Sequence, residues 1–249
     1  MDAARHFAGA PECVTLTTAK GVPIRVELAV ETLVSLRHQT PAALRIEPTV
    51  ILESDGSKVP VRLGPRLTES DLELVDQTTF DFADRLLATG RAQPAIILPV
   101  SFFTLAARKG RMALSRIGGD RGKTLKSSVM VELVDVDRGT PISRLIDVGG
   151  LITTVCRAAF VRVQPGADML ASVRGYRPHG LTLDAADLPE VDAEIASQLL
   201  TFGEQADGAA PLLVVQGLPS DGFFGVAEVA GLTHAALRTP PASRQRSAA

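Results

Sequence analysis

Short apolar runs alternate with amphipathic stretches from Leu44 to Thr239. The runs are rich in valine, isoleucine and leucine with little polar alternation, which is typical of strands that are covered on both faces. One run, Val129–Val136 (VMVELVDV), carries Glu132 and Asp135 within an otherwise apolar strand. A carboxylate in such a strand is expected near the end at which a barrel or sheet opens to solvent. The pattern therefore predicts that Glu132 points toward an active-site face, if the chain has one.

Eight strands, mostly separated by helices, are predicted from Leu44 onward. They are Leu44–Leu52, Lys58–Pro65, Ala95–Ser101, Val129–Val136, Arg157–Gly166, His179–Ala185, Pro211–Ser220 and His234–Thr239. Strands of this number with cover on both sides predict an α/β fold, a TIM-like (β/α)8 barrel. Asp55-Gly56 is a hairpin turn signal between the first two strands, so the barrel opens irregularly and one of these strands is expected to run antiparallel to the rest.

The pattern also predicts three parts of the chain. Residues 1–40 are predicted to form an N-terminal extension, with a short hairpin that turns at Lys20-Gly21 and a helix over Val26–Arg37. Residues 41–240 are assigned to the barrel. Residues 241–249 are small and polar and are predicted to be a disordered tail.

Composition narrows the class of protein. The chain has 249 residues, 45% of them hydrophobic and 22% charged, which matches one large globular domain. A formal charge of −2 gives no reason to expect a nucleic-acid partner, and no apolar run is long enough to span a membrane. Cys13 and Cys156 lack the spacing of a disulfide or zinc site. We therefore expect a cytoplasmic protein with no cofactor.

Familiar catalytic motifs are missing from the sequence. The loop Gly118–Ser128 contains Gly122-Lys123-Thr124, but a phosphate-binding loop would need glycine in place of Ile117 and would lead into a helix rather than a strand. We interpret it as a surface loop. His179 and His234 fall at strand starts, where they face away from the predicted ligand side. No serine nucleophile elbow, paired-histidine zinc motif or Cys/His nucleophile pattern is present.

The order and spacing of the predicted strands resemble the EAL domain, the barrel of cyclic-di-GMP phosphodiesterases. The resemblance covers most of the chain and rests on the order of weak motifs. These are Arg45–Val50 (RIEPTV) for the opening strand, Val61–Pro65 for the EAL strand, Pro99–Ser101, Glu132–Asp135, Val163–Gly166, Thr182–Asp184 and Gln216–Pro219. Active members of that family hold two divalent metals with carboxylates at the strand ends.

The chain departs from the family at most of these positions. Arg62 or a neighbour stands for the EAL glutamate, Pro99 for an asparagine, Val163 and Gln164 for an aspartate pair, Thr182 for a lysine, and Gln216 and Pro219 for two glutamates. Glu132 remains, with Asp135 as a shortened partner. One carboxylate cannot assemble a two-metal centre, so the resemblance implies a domain without phosphodiesterase activity and without a bound metal.

Three functions remain open from the sequence. The resemblance implies first an inactive EAL-like domain that acts in bacterial signalling by binding a protein partner, and pairing of two copies into a homodimer. The first alternative is a receptor that binds cyclic-di-GMP or another nucleotide without hydrolysis, with Arg45, Arg62 and Arg66 on the phosphates. The second is an unrelated barrel enzyme that uses Glu132 and Asp184.

The roles of two single residues, Asp184 and Glu132, also have alternatives. Asp184 also fits a helix cap, which is the commoner use of an aspartate at the end of a strand. Glu132 also fits a structural ion pair with Arg62 or Arg162. The candidate ligand-binding residues are Arg62, Arg66, Glu132, Asp135, Asp184 and Gln216.

Overall fold

The computed structural model of the protein describes residues 11–62, 64–88, 95–116, 128–137, 139–164 and 167–238. The predicted loop at 118–127 and the predicted tail at 241–249 lie outside these residues. No helix in the described ranges is long and apolar enough to cross a membrane.

Ten strands and seven α-helices are described. The strands are β1 (Glu12–Thr17), β2 (Pro23–Ser35), β3 (Thr40–Leu52), β4 (Lys58–Val59), β5 (Ala95–Ser101), β6 (Val129–Val134), β7 (Ala158–Val163), β8 (Gly180–Asp184), β9 (Leu212–Leu218) and β10 (His234–Leu237). The helices are α1 (Glu69–Ala88), α2 (Phe102–Ala106), α3 (Arg108–Arg116), α4 (Ile142–Val155), α5 (Ala167–Arg174), α6 (Asp192–Ala206) and α7 (Phe224–Val229).

Eight of the strands close into a barrel. Strand β3 and strands β5 to β10 follow one another in parallel, and β2 closes the barrel by pairing antiparallel with both β3 and β10. Strands β1 and β4 lie outside the barrel, where they pair with β2 and β3. This architecture confirms the predicted α/β barrel with an irregular opening.

The helix predicted over Val26–Arg37 is wrong, because this segment is most of strand β2. Its side chains alternate between buried and partly exposed, with Ile24, Val26 and Leu28 buried. The segment contains Val26, Val30, Thr32 and Val34, and such β-branched residues favour strands over helices. A ladder that runs from Ile24 opposite Leu52 to Ser35 opposite Thr40 then fixes the strand.

The antiparallel strand is therefore not one of the two that the sequence indicated. Lys58–Pro65 was expected to be a barrel strand, but the strand here ends at Val59 and pairs with β3 alone among the described strands. Pro60 follows directly, and proline has no N–H to donate to a ladder. Strand β2 is the eighth strand of the barrel instead. The barrel therefore begins inside the predicted N-terminal extension rather than at residue 41.

The interior of the barrel is layered by polarity. Near the amino ends of the parallel strands lies an apolar layer formed by Leu33, Ala43, Ile97, Ala158, Phe160, Val214 and Ala236. Alternate residues of a strand point to the same face. The side chains of Arg45 and Arg162 therefore point into the barrel interior, as those of Ala43 and Phe160 do. Each arginine lies two residues closer to the carboxyl end of its strand. A polar layer thus lies above the apolar one, beneath the mouth of the barrel.

Candidate functional site

A cleft of about 540 Å³ opens at the carboxyl ends of the parallel strands. Its volume lies in the range of small-molecule sites, and this face of a (β/α)8 barrel is where such sites are usually found. The wall is formed by β2, β3, β7, β8 and β9 together with the segment 58–62. The polar layer of the barrel forms its floor.

Arg45 lies at the centre of that floor and is 1% exposed. Its Nη1 donates to Oε2 of Glu31 at 3.1 Å, and its Nη2 donates to Oε2 of Glu132 at 3.3 Å. Its Nη1 also forms an ion pair with Glu47. One guanidinium from β3 therefore joins carboxylates from β2, β3 and β6.

Arg162 extends this network toward the other wall. Its Nη2 donates to Oε2 of Glu132 at 3.0 Å, and its Nη1 donates to Oδ2 of Asp184 at 3.3 Å. Glu132 is fully buried and lies between the two guanidiniums. The ion pair of Glu132 with Arg162 that the sequence suggested is confirmed.

The two arginines determine the charge state of Glu132. Burial alone would raise the pKa of its carboxyl, but the positive charges of Arg162 and Arg45 and a hydrogen bond from Thr182 outweigh burial and lower the pKa to about 2. Burial would likewise lower the pKa of Arg45, but Glu47, Glu132 and Glu31 raise it above its ordinary value. Both groups therefore stay ionised at neutral pH.

Glu47 behaves differently from Glu132. Burial raises its pKa to about 7, although Arg45 and Arg162 oppose this, and Glu31 and Asp184 add to the rise. A group with this pKa gains and loses its proton near neutral pH. Its buried Oε2 is the atom that pairs with the Arg45 guanidinium.

Asp184 and Gln216 form the far end of the floor, on the neighbouring strands β8 and β9. Asp184 caps the short 3-10 helix Ala185–Asp187 by accepting from the N–H of Ala186 at 2.9 Å, which confirms the cap that its position suggested. Its other oxygen accepts from Nε2 of Gln216 at 2.9 Å. Oε1 of Gln216 is then left without a hydrogen-bond partner among the described residues, although the side chain is buried.

The structure brings most of the predicted site residues together. Arg62, Asp135, Asp184 and Gln216 line the cleft, and Glu132 lies directly beneath its floor arginines. Arg66 does not line the cleft; its guanidinium contacts the Ser57 hydroxyl at 3.4 Å, beside the turn between β3 and β4. His179 precedes β8 and His234 begins β10, at the opposite end of the barrel as predicted.

Glu31 and Glu47 are members of the site that the sequence did not suggest. Glu31 falls in the segment that the sequence predicts as a helix, and Glu47 is part of the motif RIEPTV. The strand predicted at Val61–Pro65 is wrong as well, because the described residues of this range are not in a strand. The barrel strand beside β5 is β3, which carries Arg45 and Glu47. Alternation of polar residues along β2 was the signal that would have revealed this.

Among the described residues, no group of three or more His, Cys, Asp or Glu side chains is arranged to hold a metal ion. The chemistry of the floor explains this result. Arginine nitrogens lie 3.0 to 3.3 Å from the carboxylates of Glu31, Glu132 and Asp184. A divalent cation would need these oxygens and would meet two positive guanidiniums, so the residues present do not fit a metal pair.

Comparison of sequences identifies no relative: no family model and no curated protein matches the chain. Comparison of structures does. The barrel is similar to the Vibrio cholerae LapD S helix-GGDEF-EAL structure, with a TM-score of 0.60 and 9% identity over 84% of this chain and 52% of that one. It is similar to the Bacillus subtilis YkuI protein, with an EAL domain, in complex with cyclic-di-GMP and calcium, with a TM-score of 0.62 and 13% identity over 86% and 56%.

A standalone EAL protein from Vibrio cholerae in its cyclic-di-GMP-bound form is also similar, with a TM-score of 0.58 and 14% identity over 85% of this chain and 89% of that one. The chain spans about half the length of the LapD and YkuI structures. At these identities the likeness concerns the fold. The fold of the chain is that of EAL domains, as the order of its motifs predicted.

Proposed function

We propose that the chain is a regulatory domain with an EAL-type barrel that does not hydrolyse cyclic-di-GMP and acts by binding a protein partner. One observation carries the proposal: the Arg45 guanidinium lies among the mouth carboxylates, 3.1 Å from Glu31 and 3.3 Å from Glu132. Active EAL domains are expected to hold divalent metals with carboxylates of this face. In this chain the guanidinium of Arg45 pairs with the carboxylates of Glu31, Glu47 and Glu132 instead.

Removal of Arg45 from this place would be costly. Its side chain is 2% exposed, and it holds two buried or nearly buried carboxylates by charge-assisted hydrogen bonds. A metal would have to displace this guanidinium, and several kcal/mol oppose leaving the buried charges without their partners. This supports a mouth that is built for structure and binding rather than for metal-assisted hydrolysis.

The alternative of a carboxylate-pair enzyme is not favoured by the same network. Glu132 and Asp184 do converge, but both contact Arg162. Such an enzyme needs one carboxyl that carries a proton at working pH. The pKa of Glu132 is lowered to about 2, and the residue is not exposed to a substrate.

A protein partner is favoured by the charge of the cleft. The described lining contains seven acidic residues, which are Glu27, Glu31, Glu47, Asp135, Asp184, Asp187 and Glu190. It contains five basic ones, which are Arg45, Lys58, Arg62, Arg162 and Arg238. The acidic residues outnumber the basic ones by two, although burial raises the pKa of Glu47 to about 7, and this excess disfavours a ligand with two phosphates when no metal offsets it.

The first test is an assay of cyclic-di-GMP hydrolysis by the purified chain with Mg²⁺ and with Mn²⁺. We expect no turnover, in the wild type or in Glu132→Gln. Turnover by the wild type that Glu132→Gln abolishes would overturn the proposal.

The second test concerns the partner. A polypeptide that the wild type captures should be lost when the exposed rim residue Glu190 is changed to lysine, because the change reverses the local charge. Glu204→Lys on α6 is the matched control, since Glu204 is also exposed but does not line the cleft. Equal capture by both variants would remove the cleft as the partner site. The homodimer that the resemblance implies stays a prediction, which sedimentation analysis of the same proteins tests.

A second candidate function is a receptor for cyclic-di-GMP. The observation in its favour is the size of the cleft, about 540 Å³, with Lys58 and Arg62 at its rim. The similar YkuI and Vibrio cholerae structures are complexes with that dinucleotide. Calorimetry with cyclic-di-GMP separates the two candidates: binding that Arg62→Ala weakens would favour the receptor, and no heat at high micromolar ligand would remove it.

A further inference from the structure

One buried oxygen atom at the floor of the cleft, Oε1 of Gln216, has no hydrogen-bond partner among the described residues. Glu47 also lines the cleft, where its carboxylate forms an ion pair with Arg45. Gln216 is 1% exposed. The orientation of its amide is fixed by Asp184, because an ionised carboxylate only accepts and the Gln216 nitrogen must face it at 2.9 Å. The atom that is left over is therefore an acceptor.

Buried acceptors without a donor are uncommon in folded proteins and call for a partner. A phosphate would bring more acceptors to this floor. A group that carries N–H donors and a positive charge would satisfy Oε1 of Gln216. It would also be attracted by the acidic side chains that outnumber the basic ones in the described lining, including the exposed Asp187 and Glu190 at the rim.

We propose that the floor at Gln216 is a subsite for the cationic side chain, arginine or lysine, of a partner polypeptide. The inference rests on the proposed function and names the chemistry of the partner. A slender side chain of this kind reaches a buried floor while its backbone stays at the rim. The cleft of about 540 Å³ is much larger than one such side chain, and Pro60, Val61 and Val136 offer apolar contacts to the rest of a peptide.

The test uses the full chain labelled with ¹⁵N and three blocked tripeptides in which glycines flank arginine, lysine or citrulline. Citrulline has the shape of arginine without its charge. We expect the arginine or the lysine peptide to shift the side-chain amide of Gln216 and the backbone amide of Gly217 at millimolar concentration. The citrulline peptide should bind about tenfold more weakly, because a charge-assisted hydrogen bond is lost.

Gln216→Met keeps the length of the side chain and removes the acceptor, so it should weaken binding of the cationic peptide about fivefold or more. Gln77→Met on the exposed face of α1 is the matched control and should not change it. If Gln216→Met fails to fold, the exposed rim variant Glu190→Gln replaces it and should weaken binding about twofold to threefold through charge alone.

Absence of shifts at millimolar peptide, or equal binding of the citrulline peptide, would overturn the subsite. Tighter binding of spermidine than of either peptide would assign the floor to a small cation and overturn the polypeptide. Displacement of the peptides by cyclic-di-GMP would assign the cleft to the nucleotide. The hydrolysis assay tests the proposed function separately. If the peptides do not bind and cyclic-di-GMP is not hydrolysed, only the subsite is overturned. If cyclic-di-GMP is hydrolysed, the proposed function is overturned whether or not the peptides bind.

Discussion

Arg45 and Glu132 face each other across the interior of the barrel, with Nη2 and Oε2 3.3 Å apart, although 87 residues separate them in the sequence. Strand β5 lies between their strands in the sheet, so this contact does not follow the ladder. The pair joins two non-adjacent walls of the barrel beneath the mouth. The same carboxylate also holds Arg162, so Glu132 is the point at which both cations meet.

Replacement of Glu132 by glutamine should therefore lower the free energy of unfolding by about 3 kcal/mol at pH 7. Glutamine has the same shape, but it leaves the buried guanidinium of Arg45 and the partly buried one of Arg162 without the negative charge between them. Urea denaturation followed by circular dichroism measures the loss.

Glu53→Gln is the matched control for this change. Glu53 pairs with Arg25 at 3.3 Å on the surface, and such exposed pairs contribute less than about 1 kcal/mol. Equal losses in the two variants would show that burial of Glu132 in the network contributes nothing specific.

The network also predicts how stability depends on pH. The pKa of Glu132 falls from 4.5 to about 2 in the folded chain, so the unfolded chain binds its proton first as the pH is lowered. The stabilisation from Glu132 is complete above about pH 4.5 and is lost as the pH falls toward 2. The difference in unfolding free energy between the wild type and Glu132→Gln should shrink across this window. A difference that stays constant would contradict the role of the ionised carboxylate.

Much of the barrel was readable from local sequence, and the physical reason is burial on both faces. Strand β5 was predicted with its observed bounds, Ala95–Ser101, because a strand covered on both sides is a nearly continuous apolar run. Strand β2 was not recognised. Its interior face carries Glu31 above Leu33, so its pattern mixes charges with apolar residues and allowed a helical interpretation.

The composition of the site could not be predicted for a related reason. Glu31 belongs to the floor because β2 closes the barrel beside β3 and brings its carboxylate to Arg45, 14 residues further along the chain. This contact depends on the register of the hairpin formed by β2 and β3. If β2 is interpreted as a helix, that hairpin does not exist and the contact cannot be predicted. Glu132, in contrast, was recognised because a carboxylate in an apolar strand is conspicuous without any knowledge of its partners.

Asp76 provides a prediction away from the mouth. It is buried on α1 and accepts a hydrogen bond from the N–H of Ser101 at 3.0 Å. Burial raises its pKa to about 7 despite the hydrogen bond from Ser101. The folded chain therefore keeps this proton over a pH range in which the unfolded chain has lost it. The stability that comes from Asp76 is present below about pH 4 and is lost as the pH rises to about 7.

Asp76→Asn should remove this slope, because the amide keeps the acceptor for Ser101 and does not ionise. Unfolding free energies measured between pH 4 and pH 7 should decline less in the variant than in the wild type. Asp81→Asn, an exposed change on the same helix, should leave the slope as it is. If Asp76→Asn and the wild type decline in parallel, titration of Asp76 is not coupled to folding.

Gly217 tests how closely the floor is built around Asp184. It has a positive φ of 68°, and a Cβ added there would lie 3.0 Å from Oδ1 of Asp184. Gly208, at the end of α6, has nearly the same φ of 67°, but a Cβ there would meet no atom within 4 Å. The two glycines therefore share the backbone penalty for a side chain and differ in the contact alone.

Gly208→Ala should lower the free energy of unfolding by about 1 kcal/mol, which is the usual penalty for alanine in a left-handed conformation. Gly217→Ala should cost about 2 kcal/mol, since the methyl group must also push the Asp184 carboxylate away from its partners. The excess should disappear in the background of Asp184→Ala, where that carboxylate is absent. Additive losses in the double variant would instead show that Gly217 is needed for its backbone conformation and not for the approach of Asp184.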